Sequence, residues 1–342
     1  MRDIAGCKIA LLGGAGFIGH HLALELAEGG AEVIVVDSFQ VNNLIAVKAG
    51  SGYGRNRDLY LRMLEERQRL LRGAGVSVLP QDARDYGALS NLLGAERPDV
   101  IVHLAAVSHA NRSDKDPFTT FDHSLRTLEN ALDCARGNVD HFIYLSSSMA
   151  YGNWSADEVV EDTPLDPVGI YGALKAAGEL IVKAYHQVFG LDYTIVRPSA
   201  LYGPRCVSGR VGQVFIENAL AGEPLRVRSD GGGRLDFTYI DDLVQGIRRI
   251  IEHPAARGET FNLTYGEGRT IAEVAALVSE AFPDVEVIAE DLDPDRLTPR
   301  RGTLSVEKAR RLIGYAPSHP IEAGFRQYID WYRSFVPEGA PR

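Results

Sequence analysis

Lys8-Ile9-Ala10-Leu11-Leu12-Gly13-Gly14-Ala15-Gly16-Phe17-Ile18-Gly19 is the stretch on which the fold turns. Its first five residues read as a short strand apolar on both faces, and His20–Glu28 continues it as a helical run. Glycines at 13, 16 and 19 lie between the two. In the order strand, turn, helix, the first glycine permits a tight turn and the second lets backbone approach a diphosphate. The third lets helix and strand pack closely, and the helix N-terminus then faces negative charge. Gly13, Gly16, Phe17, Ile18 and Gly19 are therefore the expected cradle of a dinucleotide. The next apolar run, Val33-Ile34-Val35-Val36, ends on Asp37 and Ser38. A carboxylate there accepts both ribose hydroxyls and repels a 2′-phosphate, which favours NAD over NADP.

Working outward, Val76–Leu79, Val100–His103, His141–Ser146 and Tyr193–Arg197 alternate with helical stretches. This pattern predicts an α/β fold: a Rossmann-type, doubly wound parallel sheet followed by a smaller mixed α/β domain. The expected division is a dinucleotide domain of residues 1–197 plus about 236–264, and a substrate domain of about 198–235 plus 265–342. Between the second and third strands runs a long connection, Gln40–Asn56, followed by an apolar stripe at Tyr60, Met63, Leu64, Leu70 and Leu71. The stripe predicts a surface helix packed by its apolar face rather than a ligand lid.

Composition narrows the function classes. The chain has 342 residues, enough for roughly two domains, and 45% of them are hydrophobic. No apolar run approaches the roughly 20 residues that cross a bilayer, and the N-terminus lacks a signal-peptide pattern, so a cytoplasmic protein without a membrane partner is expected. A net charge of −10 without a Lys/Arg block excludes nucleic acid as a partner. A small anionic ligand stays open, since backbone N–H groups and a few arginines suffice to hold one. Cys7, Cys134 and Cys206 are scattered, read as packing residues, and offer no metal-ligand spacing.

Tyr171-Gly172-Ala173-Leu174-Lys175 places a phenol and an ammonium four residues apart on one helix face. A phenol of pKa near 10 must drop about three units, roughly 4 kcal/mol, to serve as a base at neutral pH. One ammonium at about 4 Å, at an effective dielectric near 20, supplies that much. Upstream, the fifth strand ends in Ser146-Ser147-Ser148-Met149, which delivers hydroxyls to the carboxyl edge of the sheet, where doubly wound folds bind ligands.

Together with Asp82 in Gln81-Asp82-Ala83-Arg84-Asp85, His103-Leu104-Ala105-Ala106, Arg197-Pro198-Ser199-Ala200-Leu201-Tyr202-Gly203-Pro204 and Asp236-Phe237-Thr238-Tyr239-Ile240-Asp241-Asp242, these motifs resemble the extended short-chain dehydrogenases, especially nucleotide-sugar epimerases and dehydratases of the UDP-glucose 4-epimerase kind. The resemblance spans almost the whole chain. It implies that Tyr171 is the catalytic base, that Lys175 binds the nicotinamide ribose and lowers the phenol's pKa, and that Ser147 bonds the reacting oxygen. It further implies that Asp82 and Ala83 flank the adenine, that Leu104, Ala105 and Ala106 line the cofactor, and that Pro198 lies near the nicotinamide. The implied substrate is a nucleotide sugar, with Ser108, Ser147, Ser148, Tyr171, Arg234 and Arg300 as contacts. Tyr171 would take a hydroxyl proton while hydride leaves the sugar carbon for NAD, giving a ketone.

The chain also departs from that pattern. Dehydratases of this kind carry an Asp-Glu pair where Ser148 and Met149 stand, so epimerisation, most simply at C4, or plain oxidoreduction remains. Ala200 and His123 stand where Asn is frequent, and Leu235 stands where an arginine usually precedes the Asp, with Arg234 one place early. Three readings follow: a nucleotide-sugar 4-epimerase, a nucleotide-sugar reductase or synthase, and a non-catalytic NAD-binding protein. Relatives commonly form homodimers through helices such as 125–135 and 173–185, and a homodimer is expected here.

Overall fold

Seven apolar runs pair side by side into one parallel sheet in the computed structural model, which describes residues 3–50, 53–107, 110–154, 156–231, 233–291 and 299–336. The strands are β1 (Lys8–Leu12), β2 (Glu32–Asp37), β3 (Ser77–Pro80), β4 (Val100–His103), β5 (His141–Leu145), β6 (Tyr193–Arg197) and β7 (Glu259–Asn262). Their order is β7-β6-β5-β4-β1-β2-β3, so the winding reverses between β1 and β4. Leu12 pairs with Val36 on one side and His103 on the other, which sets the ends of three strands around the glycine turn. This is the Rossmann-type α/β fold, and its switch point is where such sheets take ligands. The central strands are apolar throughout because helices cover both faces: every residue of β4 and β5 is buried.

The helices that matter for the site are α1 (Phe17–Glu28), α2 (Arg57–Gly73), α3 (Thr127–Ala135), α4 (Gly169–Phe189), α5 (Val211–Leu220) and α6 (Ile321–Phe335). The long connection after β2 carries α2, whose Tyr60, Met63, Leu64 and Leu71 are buried in the core, while Leu70 is only half-buried. The same face buries Arg67, which the apolar stripe alone does not announce. No helix among the described residues is long and apolar enough to cross a membrane.

Beyond β6 the chain builds small pairings. Leu225–Arg228 runs parallel to Val287–Glu290, and Arg234–Asp236 runs antiparallel to Gly268–Thr270. Asp236 ties this part together, accepting from the Leu304 amide at 3.1 Å, the Thr264 hydroxyl at 3.0 Å and the Gly266 amide at 3.2 Å. Burial pushes its carboxyl up to about 7 against those donors.

A buried polar network joins the strand ends beneath the site. Glu179 of α4 accepts from Arg197 Nε at 2.9 Å and Nη2 at 2.6 Å, and from the Ser146 hydroxyl at 2.5 Å. Arg197 also donates to the Tyr151 hydroxyl at 2.8 Å, which donates to Asn262 Oδ1 at 2.8 Å. The C-terminal ends of β5, β6 and β7 are thereby fixed to α4.

Candidate active site

The glycine turn sits tightly against its surroundings. Gly13 has φ +82°, and a Cβ there would lie 2.7 Å from the Ala105 amide nitrogen. A Cβ on Gly19 would lie 2.5 Å from Gly14 Cα, so only glycine lets α1 close onto the turn. Between them, the Ala15 peptide is held from both sides. Its N–H donates to Asp37 Oδ2 at 3.0 Å, and its carbonyl accepts from Asn43 Nδ2 at 3.1 Å and Arg67 Nη1 at 3.4 Å. The Phe39 amide donates to Asp37 Oδ1 at 2.7 Å. Burial pushes the Asp37 carboxyl up, opposed by these two amides and by the Arg67 charge.

Around this turn opens a cleft of about 110 Å³ that is open to solvent. Gly13, Gly16, Phe17, Ile18 and Gly19 line it from the turn, Asp37 and Ser38 from the end of β2, Asp82 and Ala83 from the segment after β3, and Leu104, Ala105 and Ala106 from the end of β4. Segments far apart in sequence thus converge as the motif reading expects. Asp82 is partly engaged: Arg84 pairs with it at 2.7 Å, Gln40 Nε2 donates to it at 3.1 Å, and its carboxyl is held below the usual carboxylate range chiefly by Arg84.

Tyr171 and Lys175 lie one turn apart near the head of α4, beside Ser147 at the end of β5. The close approach of α4 depends on Gly172, where a Cβ would stand 2.6 Å from the Met149 carbonyl oxygen. Ser147 Oγ accepts from the Met149 amide at 3.2 Å and hydrogen-bonds the Tyr171 phenol. Pro198, expected near the nicotinamide, does not line the cleft; its carbonyl accepts from the Ser148 amide at 2.9 Å and holds the serine turn against β6.

One expectation changes here. Lys175 directs its ammonium to the Leu145 carbonyl at 2.6 Å and lies 5.1 Å over the Tyr144 ring, and burial pulls its pKa down to about 8. Burial pushes the Tyr171 phenol up, and what opposes that is the Ser147 hydrogen bond and the charge of Arg210, with no contribution from Lys175. A desolvated amine turned to a carbonyl does not depress a phenol as the simple pair estimate assumes.

Two substrate expectations are corrected. Arg234 is exposed and donates to the Gly268 carbonyl at 2.5 Å, away from the cleft, because it lies on the outer face of its short strand while Leu235 packs against the core. Arg300, with 63% of its side chain exposed, pairs with Asp157 at 2.7 Å. Its neighbour Arg301 is the enclosed one: burial pulls it down to about 10, no charged partner opposes this, and its Nε has no hydrogen-bond partner among the described residues. Nothing local in two adjacent arginines distinguishes them. Ser108 lies outside the described residues.

Three arginines and an asparagine escape the motif reading. Asn43 and Arg67 brace the turn as described, and Arg67 Nη2 and Nε donate to the Arg205 carbonyl at 2.5 and 3.2 Å. Arg205 Nε in turn reaches His20 Nε2 at 3.0 Å. The signal for Arg67 is present in the sequence, since it falls on the apolar stripe of α2 at the spacing of Tyr60, Met63, Leu64 and Leu71. Arg210 lines the cleft beside Ser208, and no periodicity marks it. His123 lines the cleft as well, and Ala200 takes φ +34°, a region that Asn occupies more readily than Ala.

Comparison with known proteins adds a family pattern. Residues 9–264 match the model described as the NAD dependent epimerase/dehydratase family. The uncharacterized UDP-glucose epimerase YtcB of Bacillus subtilis is 30% identical over 96% of this chain and 98% of its own. A dTDP-glucose 4,6-dehydratase of an Actinoplanes species is 29% identical over the same shares of both chains. Among solved structures, the UDP-glucuronic acid 4-epimerase of Bacillus cereus, in complex with UDP-glucuronic acid and NAD, superposes with a TM-score of 0.81 at 27% identity, over 96% of this chain and all of its own. The UDP-glucose 4-epimerase of Thermus thermophilus, complexed with NAD, gives 0.80 at 26% identity, over 96% and 99%.

Proposed function

This chain belongs to the NAD dependent epimerase/dehydratase family, and we propose that within it the protein epimerises a nucleotide-activated sugar at C4, with a UDP-sugar favoured. Its cofactor is NAD. The residues fit that cofactor: Gly13, Gly16 and Gly19 line the cleft without side chains, so backbone can approach a diphosphate, and Asp37 lines it from the end of β2 as a partner for ribose hydroxyls. Bound there, NAD supplies the acceptor and donor of hydride.

Epimerases and dehydratases resemble the chain equally well, so its own side chains must choose between reactions. The observation that carries the choice is the serine turn. Ser148 is buried with its amide on Pro198, and Met149 brings no titratable group, so the turn offers no acid to expel a hydroxyl from C6. What the site does offer is one proton acceptor. Tyr171, hydrogen-bonded to Ser147, takes the proton of the C4 hydroxyl as the ketone forms and returns it once the sugar has presented its other face. Lys175 fixes the head of α4 to β5 through Leu145, and Arg301 is the guanidinium we assign to the diphosphate of the substrate.

We further take the active form to be a homodimer built on α3 and α4. On α4, Leu180 and Val188 stay 67% and 71% exposed, an apolar face that water does not favour.

The test is incubation with UDP-, GDP-, CDP- and dTDP-sugars, read by NMR. Two epimers should interconvert without net NADH, and Tyr171→Phe should abolish this while retaining NAD. A 4-keto-6-deoxy product, or stoichiometric consumption of a reduced cofactor, overturns the epimerase reading.

A further inference from the structure

Two arginines line the cleft around the glycine turn, Arg67 and Arg210, and they are in opposite states. Arg67 is buried and spent on the main-chain carbonyls of Ala15 and Arg205. Arg210 is half-buried, and its Nε is enclosed without a hydrogen-bond partner. No carboxylate among the described residues pairs with its guanidinium. The two acids that line the same cleft are occupied elsewhere. Asp37 accepts from the Ala15 and Phe39 amides, and Asp82 pairs with Arg84 at 2.7 Å. A guanidinium partly taken from water, with no acid to meet it, costs the empty protein stability and suits an anion that arrives from outside.

The backbone that carries Arg210 is braced. Gly209, at φ +64°, donates its amide to Gln213 Oε1 at 3.0 Å. Gln213 is buried, and its Nε2 donates to the Tyr60 hydroxyl of α2 at 2.8 Å and to Glu217 Oε1 of α5 at 2.9 Å. The Tyr332 hydroxyl of α6 donates to the same Glu217 oxygen at 2.8 Å. Three helices thus fix the turn from which the arginine leaves, immediately before α5. The residues around it narrow the anion. Gly13, Gly16, Gly19, Asp37, Ser38 and Asp82 line this cleft and fit NAD, whose one anionic group is its diphosphate. Tyr171, Ser147 and Arg301, which serve the sugar and its own diphosphate, do not line it.

We propose that Arg210 binds the diphosphate of NAD, so that the cofactor is held by the amides of the glycine turn and by a guanidinium delivered from the chain beyond β6. The planar fork can donate two N–H bonds to phosphoryl oxygens, and its charge adds to the positive end of α1. The inference rests on the cofactor and not on the reaction, so it is the same for an epimerase and for a reductase.

The test reads binding alone. The full chain, freed of cofactor, is titrated calorimetrically with NAD and with ADP-ribose, which keeps the diphosphate and lacks the nicotinamide. Arg210→Met should weaken both by the same factor, roughly 10- to 100-fold, the span expected of a charge-assisted contact. Arg210→Lys should recover part of the loss, since an ammonium keeps the charge without the fork. UDP, titrated at saturating NAD, should bind the unaltered protein and Arg210→Met alike. The urea midpoint of cofactor-free Arg210→Met should equal or exceed that of the unaltered protein, because the variant no longer holds an unpaired cation. Unchanged NAD affinity, or a loss for NAD that ADP-ribose does not share, would overturn the proposal. A loss for UDP exceeding that for NAD would move Arg210 to the substrate, and a lowered urea midpoint would make it a structural residue; either result overturns it too. None of these readouts requires turnover, so failure of the epimerase reading leaves the cofactor clamp standing.

Discussion

Lys175 carries its ammonium into a buried position beneath the head of the helix, and burial depresses its pKa to about 8. An unfolded lysine titrates near 10.4, so between pH 8 and 10.4 the unfolded chain binds more protons than the folded one. Stability from this group is thus weakest below pH 8 and recovers as pH climbs toward 10.4. Lys175→Met should raise stability at pH 7 by roughly 1–2 kcal/mol, after allowance for the Leu145 carbonyl losing a donor, while removing activity. The gain should shrink toward pH 10; urea midpoints of both proteins at the two pH values decide it. Arg301 and Arg300 give a second contrast. Arg301→Met should raise KM for the nucleotide sugar by tenfold or more, whereas Arg300→Met, which breaks only an exposed pair with Asp157, should leave KM within about twofold. The sequence let Tyr171, Lys175, Ser147 and Asp37 be found because each sits at a fixed offset from a strand end or helix head. It did not show which arginine of an adjacent pair is enclosed, because burial of one neighbour over the other is decided by tertiary contacts, here those of the segment around Asp157 and Gly302.

Among the elements, α4 is anchored by the Glu179–Arg197 pair, whose side chains are almost wholly buried. Removing one partner strands the other charge away from water, so Arg197→Met should cost about 3–5 kcal/mol, whereas the double variant Arg197→Met with Glu179→Gln should recover part of the loss. Thermal unfolding of both single variants and the double variant checks this, and a double loss equal to the sum of the single losses would mean the pair is not coupled. Six of the seven strands of the sheet, β1 to β6, were legible within a residue or so, because helices on both faces impose near-continuous apolar runs. The short pairings beyond β6 were not, apart from a general loosening of pattern. Strands of two to four residues such as Thr303–Leu304 and Leu225–Arg228 carry too little periodicity, and they exist because groups like Asp236 gather their ends.

Over the whole molecule, the exposed face of α4 is the feature that the isolated chain leaves unexplained. Replacing Leu180 and Val188 together by Arg should convert the proposed dimer to a monomer without unfolding it, since neither side chain belongs to the core. Sedimentation with parallel circular dichroism reads this, and an unchanged sedimentation coefficient would remove α4 from the interface. The brace on the Ala15 peptide has a different consequence. Arg67 ties the nucleotide turn to the Arg205 carbonyl through neutral acceptors and from a buried position, where dissolved ions screen little. As ionic strength rises, peripheral pairs such as Arg226 with Glu290 should slacken while the turn keeps its shape, leaving a molecule whose rim softens in brine before its cradle does.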